Sequence, residues 1–515
     1  MAVAASGEII DIIAVSYPWR PMRIAIVGGG IAGLAAAYEL EKARAANPAL
    51  SYTLFESGSR LGGSLLSAVV GGTVLERGPD SFLTEKPAAA ELARELGLGA
   101  DLIPSNDANR KTWIALSNRL VPLPDGLMFL IPTKLLPTAF TPLFSLRTKL
   151  RMAMELLHPP RPSEEDESVA ALVERHFGGE VVDRLADPLL SGIYGGDATK
   201  LSARTVLPRL VEMEEQYGSL TRGMLAAHKR MVAAMAAKGS GAQSAAGRLK
   251  PMGAPGSQAG AGARGIFTTL RGGLQQMVDV LVAKLDPPAI RLDTPVSAME
   301  RAEGGWRLTA SGDTETYDGV VMACPAWAAG ALLAGIDAGI GRELESIPYS
   351  SSITVNLVYD EARLGVLPEG FGFLVPASSG HAMLACTFAH RKFLGRTAPG
   401  KAVLRAFLGG MRHEALMEEP DSVLLATVRR ELSQILGART IGPHIEPEFA
   451  QVTRWRRAMA QYAVGHKERM TRIHAQLAAF KGIKLAGNAY DGIGIPDCIR
   501  LGRAAARELV GTAAR

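Results

Sequence analysis

The apolar run Arg23-Ile24-Ala25-Ile26-Val27 passes directly into Gly28-Gly29-Gly30-Ile31-Ala32-Gly33 and then into an alanine-rich segment. Glycines 28, 30 and 33 make G-x-G-x-x-G between a strand and a helix, the setting in which that spacing carries meaning. Gly28 permits a tight turn, Gly30 leaves the backbone open to a pyrophosphate, and Gly33 lets the helix lie close on the strand. The start of such a helix offers free N–H groups and the positive end of its dipole to phosphates. The pattern predicts a strand over Arg23–Val27, a helix over Ile31–Ala46 and a second strand over Tyr52–Glu56. Glu56 falls 23 residues after Gly33. A carboxylate there can accept both hydroxyls of an adenosine ribose and would repel a 2′-phosphate, which disfavours NADP. A glycine-rich turn without a ligand is the competing reading, and the agreement of strand, helix and acid weighs against it.

Three further glycine turns stand at strand ends. Ser59-Arg60-Leu61-Gly62-Gly63-Ser64 follows Glu56, and a base before a glycine pair can add contacts to a long pyrophosphate. Glu76-Arg77-Gly78-Pro79 can bring backbone against a flat ring. Near the C-terminus, Leu485-Ala486-Gly487 leads through Asp491-Gly492-Ile493-Gly494-Ile495-Pro496 into a helix. Proline suits a first helical turn because its missing N–H costs nothing there. Such a helix start could sit under the pyrimidine edge of a flavin and stabilise the charge that gathers at N1/O2 on reduction. An ordinary loop is the competing reading of Ser59–Ser64 and is outweighed there, whereas the Glu76–Pro79 turn and the C-terminal turn alone are equally well read as a plain loop and a capped helix.

Composition narrows the class. The chain has 515 residues, a formal net charge of +5 and no concentrated basic stripe, which argues against a nucleic-acid partner. Its three cysteines, Cys324, Cys386 and Cys498, are widely spaced. They suggest neither a zinc site nor a disulfide framework and fit a reducing, cytoplasmic setting. No metal site is expected. His390, His413 and His466 stand alone and read as structural, and Cys498 reads as a small buried residue at a helix start. The apolar stretch Leu127–Leu146 contains Lys134, Pro132, Pro137 and Pro142, so a membrane-surface or pocket-lining role is easier to support than a spanning helix. Residues 1–21 read as an N-terminal extension, and the Gly/Ala/Ser-rich run 238–265 as a flexible insertion. Between them, helical pattern dominates 85–235, and β-rich segments follow the insertion.

Taken together, these segments resemble the FAD-dependent porphyrinogen oxidases of haem biosynthesis, within the wider flavin amine oxidase and phytoene desaturase superfamily. The resemblance rests on FESGSRLGGS, ERGPDSFL, FTTLRGGLQQMVDVL, EGFGFLVP, RWRRAMAQYAVGH and AYDGIGIPDCIRLGRAA, and is closest to bacterial members. It implies an α/β fold in which a Rossmann-like FAD-binding domain (22–84, 266–335, 451–515) is interleaved with other units. These are an α+β substrate-binding domain (336–450) and a helical, membrane-type domain (85–235). It also implies FAD contacts at Gly28, Gly29, Gly30, Ile31, Ala32, Gly33, Glu56, Ser57, Gly63 and Ser64. Gly78, Pro79, Asp80, Ser81, Val296, Trp455, Ile493, Gly494 and Ile495 complete the set. The implied reaction withdraws six electrons from a porphyrinogen as three hydrides to flavin N5, with O2 as acceptor. No nucleophile–base constellation is visible, so no catalytic side chain is assigned.

The resemblance places Phe371 and Phe388 in segments that line the substrate slot, although both are equally well read as core aromatics. Plant and animal relatives carry an arginine just before the strand corresponding to Trp113–Leu116. Here Thr112 stands at that position, leaving Arg110 and Lys86 as candidate carboxylate anchors. Bacterial-type motifs tilt the substrate toward coproporphyrinogen III over protoporphyrinogen IX. A carotenoid desaturase, an amine oxidase and a non-catalytic binding protein like the GDP-dissociation inhibitors remain alternatives on the same scaffold. Peripheral contact with the inner membrane, a homodimer and a haem-pathway enzyme partner are compatible with the resemblance.

Overall fold

A computed structural model describes residues 21–116, 118–124, 127–128, 131–132, 135–160, 165–238 and 265–513. The expected extension and insertion lie outside these residues, apart from their border positions. In chain order, the first elements used below are β1 (Met22–Val27), α1 (Ile31–Ala46), β2 (Leu50–Phe55), β3 (Thr112–Leu116) and β4 (Arg119–Pro122). Four helices follow: α2 (Leu146–Met154), α3 (Val169–Phe177), α4 (Asp187–Tyr194) and α5 (Leu220–Lys238). Next come β5 (Ile290–Arg291), β6 (Val296–Ala302), β7 (Gly319–Met322), α6 (Ala326–Leu333) and β8 (Tyr349–Asp360). The chain continues through β9 (Gly372–Leu374), β10 (Met383–Phe388), β11 (Lys401–Gly409) and α7 (Asp421–Leu436). The last elements are β12 (Phe449–Ala460), β13 (Ile483–Leu485) and α8 (Ile495–Ala513).

The first sheet is parallel, in the order β5-β2-β1-β7-β13. Its strands are short apolar runs because helices and loops cover both faces. Ile24, Ala25 and Ile26 are fully buried, as are Val320, Val321 and Met322 beside them. Helix α1 lies on one face with Leu34, Ala35, Ala36, Ala37 and Leu40 turned inward, and α8 packs against it. A Cβ on Gly502 would lie 2.0 Å from the carbonyl oxygen of Ala32, so a glycine in α8 is required for that approach.

The second sheet has seven strands, ordered β12-β8-β11-β10-β9-β3-β4, antiparallel except where β9 meets β3. Alternation divides its faces. Ile353, Val355, Leu357 and Tyr359 of β8 join Leu404, Ala406 and Leu408 of β11 against α7. Helix α7 answers with Leu424, Val428, Leu432 and Ile435, one helical stripe. The opposite face carries Thr354, Asn356, Arg405 and Thr453, polar positions turned toward the glycine turns of the first unit.

One expected boundary is corrected here. Residues 451–515 do not all belong with the first sheet, because β12 pairs along β8 in the second, and a boundary at 450/451 cuts through that strand. Within the mainly helical stretch 85–235, β3 and β4 form one edge of the seven-stranded sheet, so this stretch also contributes to the β-rich unit. The helices α2, α3 and α4 pack on that edge through Ile114 and Val121, in a core with Leu172, Val173 and Phe177.

Candidate functional site

The chain leaves β1 toward β2 on one side, while β7 and β13 lie on the other. The strand order therefore reverses at the β1/β7 boundary, the place where open parallel sheets bind ligands. Gly28 turns there with φ +111°, and a Cβ on it would stand 2.7 Å from the amide nitrogen of Cys324. A Cβ on Gly33 would stand 1.9 Å from the Gly28 carbonyl oxygen, so α1 can approach the turn only as glycine. Gly30 differs from both: a Cβ added to it meets nothing within 4 Å. Gly30 thus faces open space between these two close approaches, beside the start of α1 with Ile31 and Ala32.

Glu56 follows β2 and turns its carboxylate back to the Gly28–Gly33 turn. It accepts the Gly29 N–H at 2.7 Å and the Gly58 N–H at 2.8 Å. Two backbone donors fix its orientation and leave acceptor capacity for a ligand hydroxyl. Ser57, exposed, donates to Glu56 at 3.4 Å. The Glu56 carbonyl accepts the Thr294 N–H at 2.9 Å, which brings Val296 at the start of β6 to the same end of the site.

The second glycine pair seats itself on the first. Gly62 donates to the Gly29 carbonyl at 2.8 Å, and Gly63 lies against Gly30, with Ser64 exposed beside it. Arg60 does not reach outward to a phosphate. Its guanidinium donates to the carbonyls of Leu61 at 3.1 Å and of Gly63, and lies 5.8 Å over the Trp455 ring. Burial and the nearby Arg77 depress its pKa.

The Gly78–Ser81 turn closes the far side. A Cβ on Gly78 would stand 1.8 Å from the Ser64 carbonyl oxygen and 3.5 Å from the Trp455 ring. Trp455, on β12, donates its indole N–H to the Arg77 carbonyl at 2.8 Å. Behind the turn, Arg405 donates to the Gly78 carbonyl, and Asp80 binds Lys392 Nζ at 2.9 Å through both oxygens. Burial would raise the Asp80 pKa, but Lys392 and Arg405 overcome it and hold the carboxyl well below its usual range. Ser81 donates to Asp80 at 2.6 Å. The Asp80 carboxylate and Ser81 hydroxyl are thus engaged within the protein. What this turn offers a ring is its backbone, with Pro79 at the corner.

The fourth segment is Ile493-Gly494-Ile495 at the head of α8. Gly492 donates to the Tyr462 hydroxyl at 2.8 Å, and that hydroxyl donates to the Asn488 carbonyl at 2.9 Å. Asp497 accepts from Lys86 Nζ at 2.6 Å and from the Gly494 N–H at 3.3 Å. Lys86, one of the expected carboxylate anchors, is thus paired with Asp497 at the head of α8. Sequence reasoning singled out neither Tyr462 nor Asp497; the QYAVGH and GIPDC motifs contain them but give no partners.

Three of the expected substrate residues are neighbours: the Phe371 N–H donates to the carbonyl of Lys111, one residue from Arg110, at 2.8 Å, and Phe388 bonds to Phe371, while Lys86 lies apart beside Asp497. Phe388 is fully buried in the core under α7, edge-on to Phe373 at 6.2 Å. Phe371 is 9% exposed, and its carbonyl accepts the Phe388 N–H at 2.8 Å. Arg110 is exposed just before β3, and the adjacent Lys111 binds Glu369 at 2.7 Å. Burial pushes the Cys324 and Cys498 thiols up to about 12, so neither is a thiolate at neutral pH. Burial depresses the His390 pKa and takes that of His466 down to about 4; the His466 ring stacks on Tyr462 at 4.3 Å. Among the described residues no cluster could hold a metal ion.

The parallel sheet, the glycine cradle at its switch point and the Glu56 carboxylate define a dinucleotide-binding oxidoreductase unit, with a second sheet supplying Trp455 and the support behind Gly78. The chain belongs to the family described as flavin containing amine oxidoreductase, whose profile matches residues 31–510. It is 34% identical to the coproporphyrinogen III oxidase of Bacillus subtilis (strain 168), covering 94% of this chain and 96% of that one. It is 29% identical to human protoporphyrinogen oxidase, covering 95% and 98%. A crystal structure from Exiguobacterium sp. 255-15, assigned as a protoporphyrinogen oxidase, superposes with a TM-score of 0.79 at 33% identity, over 95% and 98% of the two chains. The residues fit the FAD of this family. The space at Gly30 admits a pyrophosphate, and the oriented Glu56 carboxylate suits a ribose without a 2′-phosphate.

Proposed function

We propose that this chain oxidises a porphyrinogen to the corresponding porphyrin in haem biosynthesis, using FAD and O2, with coproporphyrinogen III as the preferred substrate. The observation that carries the reading is the pairing of the FAD cradle with near full-length similarity to coproporphyrinogen III oxidases. Bound FAD supplies hydride acceptance at N5, and three cycles with three O2 remove six electrons and six protons, leaving three hydrogen peroxide. The protein's part is to hold and orient. The Gly28–Gly33 turn and Glu56 would hold the ADP half, and the Gly78–Ser81 backbone and Trp455 would hold the ring. Ile493–Ile495 presents the α8 N-terminus, which favours negative charge at the pyrimidine edge. Each cycle also releases one proton from the substrate, and no side chain is assigned to accept it.

Steady-state turnover of both porphyrinogens tests the preference: coproporphyrinogen III should have the higher kcat/KM, and equal or better use of protoporphyrinogen IX overturns the assignment. Anaerobic mixing with either porphyrinogen should bleach the flavin band. Failure of both would move the reading to the amine oxidase or carotenoid desaturase class.

Among the described residues no helix is long and apolar enough to cross a membrane. Helix α2 and the turn after it nonetheless expose a stripe: Leu146 and Leu150 at 74% and 59%, Met154 at 59%, Leu157 at 81%, with Phe140 at 84% just before it. The i, i+4, i+8, i+11 spacing and the adjacent Arg147 and Arg151 suit a helix lying on an anionic bilayer. Peripheral membrane contact through α2 is our reading of this face. Leu146→Ser with Leu150→Ser should abolish co-sedimentation with phosphatidylglycerol vesicles. Unchanged co-sedimentation, or a wild-type dimer that the double variant dissolves, refutes it.

A further inference from the structure

We infer that the Lys86–Asp497 ion pair sets the charge at the pyrimidine edge of the flavin and thereby its ease of reduction; this rests on the FAD reading above. The pair joins two motifs 411 residues apart, the Lys86 that follows ERGPDSFL and the Asp497 of GIPDC, at 2.6 Å. Asp497 stands in the first turn of α8, immediately after the Ile493–Ile495 segment, with its side chain 10% exposed. Its carboxylate also accepts the Gly494 N–H, and it would stand 2.5 Å from a Cβ on Gly492. It therefore lies inside the flavin-facing turn and not on the outer surface of the helix.

An acid there favours the helix but opposes the reaction. A helix N-terminus carries about half a positive charge. A lone Asp497 would reverse that sign at the edge where a reduced flavin gathers negative charge. Lys86 restores it, so the lysine decides whether the helix end attracts or repels the electron pair. The neighbouring charges do not alter the balance. Arg500 and Asp491 neutralise each other at 2.7 Å on the exposed side of the turn. Tyr194, Tyr462 and Cys498 face the carboxylate from the helical layer, from the segment after β12 and from α8. All three titrate high, mainly through burial and in part through the Asp497 charge, and are neutral at working pH. Lys86 and Asp497 are positioning residues: they act on the flavin through the charge and geometry of the α8 terminus.

The test is an anaerobic dye-coupled measurement of the flavin reduction potential in holoenzyme, for wild type, Lys86→Met, Asp497→Asn and the double variant. Lys86→Met should shift the potential down, and Asp497→Asn should shift it up. Each shift should be at least tenfold in the reduced-to-oxidised ratio at fixed potential, about 30 mV for two electrons. The double variant should return close to wild type. Loss of folding cannot produce opposite signs. Equal potentials, or shifts in one direction for both single variants, overturn the inference. So does a Lys86→Met that raises KM while leaving the potential unchanged, the result a substrate anchor would give. If Lys86→Met does not retain flavin, Asp497→Asn alone decides, and a potential that does not rise overturns the inference. A wild-type protein that binds no flavin would instead refute the FAD reading on which it rests.

Discussion

The empty space at Gly30 separates what the fold needs from what the cofactor needs. Gly30 has φ −69° and ψ 179°, a conformation open to any residue, and its missing Cβ touches nothing within 4 Å. Gly30→Ala should therefore fold. Replacing glycine at the helix N-cap costs some tenths of a kcal/mol to about 1 kcal/mol, offset by about 0.4–1 kcal/mol of lost freedom in the unfolded chain. The apoprotein should keep its urea midpoint. With FAD bound, the methyl group intrudes where the pyrophosphate approaches, and overpacking of that kind costs about 1–3 kcal/mol. At tenfold per 1.4 kcal/mol, FAD should bind about 5- to 150-fold more weakly. Gly33→Ala is the counterpart. Its Cβ would stand 1.9 Å from the Gly28 carbonyl oxygen, a backbone atom that cannot swing aside, so the apoprotein itself should be destabilised. Fluorescence titration of each apoprotein with FAD, alongside urea unfolding, gives both quantities. A Gly30→Ala protein that binds FAD like wild type, or loses stability like Gly33→Ala, would refute the assignment of that space to the cofactor.

Three further outcomes follow from buried charge. Glu56→Gln places an amide donor against one of the two N–H groups that the carboxylate now accepts, and should weaken FAD binding by about 10- to 100-fold, since bonds to charged groups carry about 1.5–3 kcal/mol. A Kd within threefold of wild type would contradict it. Arg405→Met leaves Asp80 short of one cation and the Gly78 carbonyl without its donor, and should cost about 3–5 kcal/mol in denaturant unfolding; a loss below about 1 kcal/mol would show that the guanidinium does not support the turn. In the helical layer, His176 Nδ1 lies 3.0 Å from Glu155 and Nε2 lies 3.2 Å from Glu214. Burial would lower the His176 pKa, but the two carboxylates raise it, so its contribution is present below about 6.5 and lost as pH rises through the raised value. Burial raises the Glu214 pKa, yet His176 and Arg175 hold it at about 2. Its contribution is therefore present above the unperturbed 4.5 and lost as pH falls toward 2. Urea midpoints should peak between those limits, and His176→Gln should flatten the alkaline limb; equal slopes in both proteins would refute this.

The first unit was legible because its signals are local. Helix α1 begins at Ile31 and ends at Ala46, as glycine spacing and alanine content predict. The four glycine turns could be found one by one because a close backbone approach leaves only glycine. Strand β12 was missed because it is an edge strand carrying Arg454, Arg456 and Arg457. Edges carry charge as a guard against further pairing, which erases the alternation that marks a strand. Phe388 shows a different limit. A period of two tells which residues share a face, but not whether that face meets a helix or a cavity, and here it meets α7. The Lys86–Asp497 pair carries no sequence signal at all, since neither charge indicates its partner across 411 residues.

The order of strands in the first sheet has a consequence for how the protein is made. Strand β1 is among the first described segments to leave the ribosome, yet its neighbour β7 begins at Gly319 and the closing strand β13 at Ile483. At about 5–20 residues per second, a nascent β1 waits tens of seconds for β13 and α8. Until β7 itself emerges, the Ile24–Ile26 core has no strand on that side. If Ile493–Ile495 completes the FAD site as proposed, cofactor capture should come after synthesis, as the step that closes the fold.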